Sequence, residues 1–88
     1  MITIFKYPFI LSHVQVIKIP ADAEILSIQM QNERFYIWVK LDTEKPKFER
    51  NILVFGTGAE MQNDNLKYIS SIQDGAFVWH FFEVLKND

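Results

Sequence analysis

Glu24-Ile25-Leu26-Ser27-Ile28-Gln29-Met30-Gln31-Asn32-Glu33-Arg34-Phe35-Tyr36-Ile37-Trp38-Val39-Lys40-Leu41 is the stretch that decides the fold. In its first half Leu26, Ile28 and Met30 alternate with Ser27, Gln29 and Gln31. In its second half Phe35, Ile37, Val39 and Leu41 alternate with Tyr36, Trp38 and Lys40. A strand sends successive side chains to opposite faces, so a period of two reads as a half-buried strand. Asn32-Glu33 is then the two-residue link of a tight hairpin. Pairing the two strands sets Tyr36 and Trp38 beside some of the Ser and Gln residues, on a face open to water, a ligand or a partner.

The flanking sequence repeats the theme. Ile2 to Pro8 and Leu11 to Ile19 read as two strands, with Pro20 stopping the second because proline has no ladder N–H to donate. Ala21-Asp22-Ala23 is a turn, and Asp42 to Lys47, with Pro46, is a loop. Phe48 to Phe55 is a strand whose apolar run Ile52-Leu53-Val54-Phe55 predicts cover on both faces. Gly56-Thr57-Gly58 ends it. Glu60 to Asn65 is polar, with room for one 3₁₀ turn. Lys67 to Gln73 and Ala76 to Leu85 are two further strands, joined by a turn at Asp74-Gly75. About six to seven short strands with little or no helix make residues 1–88 a single all-β domain. Its expected form is a small antiparallel sandwich or a partly open barrel.

Composition narrows the function classes. Nine Lys and Arg against eleven Asp and Glu give a net charge of -2, which is no footprint for duplex nucleic acid. The densest basic stretch, Lys45, Lys47 and Arg50, is interrupted by Glu44 and Glu49 and reads as a solvated loop. No cysteine is present, so disulfides and thiolate metal sites are excluded. Two histidines, His13 and His80, with scattered carboxylates show no metal spacing, and no cofactor is implied. No run approaches the roughly 20 apolar residues that span a bilayer, and no signal segment is evident, so cytoplasmic residence is expected. No serine stands in a nucleophile elbow, and the chain reads as a non-enzyme. Thirteen aromatic residues in so small a domain are more than its own core requires, which favours a homo-oligomer with strand edges paired across a two-fold axis.

Two groups are candidate binding residues. Tyr36 and Trp38, beside Lys40, form an aromatic and basic stripe of the kind that stacks a base or anchors a partner protein. Gly56, Thr57 and Gly58 let a backbone approach a ligand closely, although no helix follows to make a phosphate loop. The plain alternative for these glycines is a strand-ending turn that needs positive φ. His80 reads as a partly buried ring satisfied by one hydrogen bond.

Lys6-Tyr7-Pro8, Ile19-Pro20, Ala23 to Gln31, Trp38 to Asp42, Gly56-Thr57-Gly58, Tyr68-Ile69 and Val78-Trp79-His80-Phe81-Phe82-Glu83 occur in an order that resembles a family of small bacteriophage and prophage proteins. That family often carries a histidine after Gly-Thr-Gly, where this chain has Ala59. The resemblance implies a phage setting and a compact β-domain, and it implies no activity. In that setting the expected function is binding: inhibition of a host enzyme or defence complex by protein–protein contact. The alternative is a homo-oligomer that sequesters a small nucleotide, stacking the base on the aromatics and meeting phosphate with Arg34, Lys40 or the glycine turn. A virion structural accessory is a third possibility.

Overall fold

A computed structural model describes residues 1–62 and 65–85, which form seven strands and no helix. They are β1 (Ile2–Phe9), β2 (Val14–Pro20), β3 (Glu24–Gln31), β4 (Arg34–Asp42), β5 (Lys47–Gly56), β6 (Leu66–Asp74) and β7 (Phe77–Val84). A three-stranded sheet of order β1-β4-β3 faces a four-stranded sheet of order β2-β5-β7-β6, and every pairing is antiparallel. Of the two forms expected, sandwich or partly open barrel, the arrangement is a small sandwich and not a closed barrel.

The core is the inward half of each alternation. Phe9 from β1, Ile17 and Ile19 from β2, Ile28 from β3, and Phe35, Ile37, Val39 and Leu41 from β4 meet Ile52, Val54 and Phe81. Phe9, Phe35 and Phe81 form an aromatic knot, with ring centroids 5.5 to 6.1 Å apart. Each such ring removes a large apolar area from water, which is how a chain without disulfides holds together.

Five expectations change. Leu26 does not share a face with Ile28 and Met30, because a β-bulge between Ile25 and Ser27 inserts it as an extra residue. It is exposed, and Ile25 takes its place against the core. The second strand begins at Val14 rather than Leu11, which packs on the core from the preceding loop. Arg50 is no loop residue: it lies in β5, faces inward and pairs with Glu83 of β7. The last hairpin turns at Gly75-Ala76, one residue later than expected, with Gly75 at φ +60°. Glu60 to Gln62 and Asn65 carry no helix, and the rest of that predicted 3₁₀ turn, positions 63–64, lies outside the described residues.

The two sides of the sandwich differ. On one side β3 and β6 run together, and Ser70 Oγ donates to the Ile28 carbonyl at 3.0 Å. On the other, β1 and β2 are separate sheet edges, with a cleft of about 290 Å³ between them lined by Tyr7, Phe9, Val16 and Ile17.

Candidate functional site

The middle strand of the three-stranded sheet carries the aromatic stripe. Inward Phe35, Ile37 and Val39 fix the alternation of β4, so Tyr36, Trp38 and Lys40 point outward. The register places Trp38 between Lys6 and Ser27, Tyr36 between Pro8 and Gln29, and Lys40 between Ile4 and Glu24. The Tyr36 and Trp38 rings are half-buried, with centroids 5.9 Å apart and planes inclined by 60°. Lys6 Nζ sits 4.5 Å from the Tyr36 ring centroid and donates to Gln31 Oε1 at 2.8 Å. Gln29 Nε2 donates to Ser27 Oγ at 2.9 Å. The result is an aromatic centre on one strand with a hydrogen-bonded polar margin on the two strands beside it.

Gly56, Thr57 and Gly58 lie elsewhere, at the end of β5 in the four-stranded sheet. Within one chain the sandwich therefore does not bring the glycine turn to the stripe. The turn's geometry is specific. A Cβ on Gly56 would stand 3.3 Å from Trp79 Cζ3, so this glycine serves close packing rather than positive φ. Gly58, at φ +90°, is the position that needs the left-handed region. Thr57 N–H donates to the Val78 carbonyl and Ala59 N–H to the Gly56 carbonyl, so these two amides are engaged within the chain.

Thr57 also begins a relay that runs from the turn after β5 across β7 to β6. Its Oγ1 is 2.8 Å from His80 Nε2, His80 Nδ1 is 2.7 Å from Ser71 Oγ, and Ser71 Oγ is 2.9 Å from Tyr68 Oη. His80 thus makes two hydrogen bonds rather than the one expected, and hydroxyls on both ring nitrogens fix its orientation on the outer face of the four-stranded sheet. Beside it, Val14, Leu53, Phe82 and Tyr68 form an apolar row across all four strands.

A cleft of about 420 Å³ lies by the Arg50–Glu83 pair. Arg50 Nε and Nη2 donate to the two Glu83 oxygens at 2.5 and 2.7 Å, and Nη1 donates to the Ala23 and Pro20 carbonyls at 2.6 and 3.2 Å. The guanidinium is committed to its own chain, tying the turn between β2 and β3 to β5 and β7. Among the described residues no three His, Asp or Glu side chains gather to hold a metal ion. Among them no helix is long and apolar enough to cross a membrane.

Sequence reading missed two parts of this picture. Lys6 belongs to the stripe, but nothing in the sequence says that β1 pairs with β4. Ser71 opposite His80 follows from counting back from the last turn, provided the turn is placed at Gly75-Ala76.

The chain belongs to DUF7352, a domain of unknown function, over residues 1–88. The DUF7352 match spans both sheets, the stripe and the His80 relay alike. No curated protein and no solved structure matches the chain.

Proposed function

We propose that this DUF7352 chain is a non-enzymatic binding protein that holds a partner protein on the outer face of its three-stranded sheet. The observation that carries the reading is Tyr36 and Trp38 at the centre of that face, inside a margin of Lys6, Ser27, Gln29, Gln31 and Lys40. Protein-binding hot spots have this form: buried aromatic anchors in the middle, with a polar rim that excludes water. In the phage setting that the sequence resembles, the partner is a host enzyme or defence complex in the host cytoplasm.

The test is affinity capture of the tagged chain from host cells, quantified against the Trp38→Ala variant. A partner in stoichiometric amount is expected with the wild type. Trp38→Ala should weaken it by about 30-fold, the equivalent of an anchor worth about 2 kcal/mol. Tyr68→Ala, on the opposite sheet, should leave binding unchanged. The reading fails if no stoichiometric partner is found, or if Tyr68→Ala abolishes binding and Trp38→Ala does not.

The nucleotide-sequestering alternative has less support. Lys6 already occupies a face of Tyr36, and the glycine turn lies on the other sheet. Calorimetric titration with cyclic and linear nucleotides tests it directly. Mass spectrometry of purified particles tests the virion accessory.

A further inference from the structure

The free edges of the two sheets carry one pattern twice. β1 reads Ile2-x-Ile4-x-Lys6-x-Pro8, and β2 reads Val14-x-Val16-x-Lys18-x-Pro20. Hydrogen-bond parity shows which residues face outward. Thr43 N–H donates to the Met1 carbonyl, in step with the β1–β4 register, so odd-numbered residues of β1 bond to β4. Val54 N–H donates to the His13 carbonyl, which sets the same parity for β2 on β5. The even-numbered residues therefore turn their N–H and C=O groups to the open edge. Each proline stands where its missing N–H would face outward, the one place a strand tolerates it.

Lysine and proline are the usual guards of an exposed edge. On β1 the lysine has left its post: Lys6 lies across its own sheet, bound to Gln31 and stacked on Tyr36. That leaves Ile2, Ile4 and Lys6 with outward N–H and C=O groups, and Ile2 and Ile4 are 67% and 56% exposed.

We propose that β1 pairs with β1 of a second copy, antiparallel, about a two-fold axis at Ile4. Ile4 then faces Ile4 of the second copy and Ile2 faces its Lys6. Six N–H···O bonds form, every outward N–H of the edge is used, and Pro8 falls beyond the ladder. The two sheets fuse into one of six strands. Their two Tyr36–Trp38 stripes come onto a single face, three strand spacings or about 14 Å apart. The pairing does not depend on what the stripe binds.

The experiment is sedimentation equilibrium of the full chain, with variants and cross-linking. The wild type should be a dimer across about 10–100 μM, a range that populates a contact of a few μM. Ile4→Pro removes an N–H that β4 does not use and should raise the dissociation constant about a hundredfold. Should Ile4→Pro fail to fold, Ile4→Lys keeps every intrachain bond and sets like charges on the axis, with the same loss expected. Because the chain has no cysteine, Ile4→Cys gives a clean readout of register. Its two copies stand about 5.5 Å apart between Cα atoms and should cross-link on oxidation, whereas Ile2→Cys, about 14 Å from its copy, should not. A monomer throughout the range overturns the proposal. So does a dimer indifferent to Ile4→Pro and Ile4→Lys, one that Val16→Lys dissolves instead, or cross-linking of Ile2→Cys as fast as Ile4→Cys.

Discussion

Replacing Arg50 with methionine should be among the most damaging single changes to this fold. The Arg50 and Glu83 side chains are only 14% and 10% exposed, and they share two hydrogen bonds. Arg50→Met removes the cation and strands a nearly buried carboxylate, along with the Ala23 carbonyl that Nη1 satisfied, while the Pro20 carbonyl keeps the Ala23 N–H. Breaking a buried pair from one side costs about 3–5 kcal/mol. The cleft beside the pair admits water to the orphaned groups, which puts the expected loss at the low end, about 3 kcal/mol. A domain of this size is stable by about 4–13 kcal/mol in all. The melting temperature should therefore fall by about 12–24 °C. Thermal and urea unfolding measure the loss directly. The companion is Arg50→Met with Glu83→Met, which removes both charges at similar volume and should recover at least half of it. A loss below about 1 kcal/mol for Arg50→Met, or a double variant no more stable than the single, would refute the argument that the pair is buried and mutually dependent.

Three further outcomes are expected. Asn32 and Glu33 form the β3–β4 turn with φ of 52° and 65°, so Glu33→Gly should stabilise the fold by about 1 kcal/mol, read as a higher urea midpoint at unchanged slope. Burial pushes the Tyr7 phenol above its ordinary value of about 10, so the folded chain keeps a proton that the unfolded chain releases. Stability should be whole below about pH 10 and fall as pH rises beyond it, while Tyr7→Phe should flatten that fall and, by removing a buried hydroxyl with no partner among the described residues, cost nothing at neutral pH. The Asp22 carboxyl is held low by its hydrogen bond to Lys45, and Asp42 by the Glu44 N–H and then the Met1 amino group. Both contribute stability above their ordinary value of about 3.8 that is lost as pH falls through the lower folded values, so Asp22→Asn with Asp42→Asn should make acid unfolding shallower.

Local regularity was the legible part of this chain. Residues 24–41 announced a hairpin because one face of β4 must be apolar and the other need not be, and the outward placement of Tyr36, Trp38 and Lys40 followed. A bulge leaves no such mark: Leu26 is as apolar as Ile25, and only the packed ladder decides which of them turns in. Partner choice between distant strands was equally hidden, and with it Lys6 beside Tyr36. Arg50 looked solvated because its sequence neighbours are charged, yet its true neighbour, Glu83, lies 33 positions away. The glycine turn shows the limit from the other direction. Gly56 and Gly58 look alike in sequence and serve different ends, one making room for Trp79 and the other bending the chain.

The unlike sides of the sandwich make it a book with a spine. Ser70 stitches β6 to the Ile28 carbonyl of β3, while β1 and β2 are the loose fore-edges of the two covers. Opening from the fore-edge parts few contacts, whereas opening at the spine breaks the stitch. Amides of Gln15 and Ile17 should therefore exchange with solvent before those near Ile28 and Ser70, and a protease should find the Ile10–His13 link before the β3–β4 turn. A partner pressed against the fore-edge would hold the covers shut, so that association there would be felt as stiffness throughout both sheets.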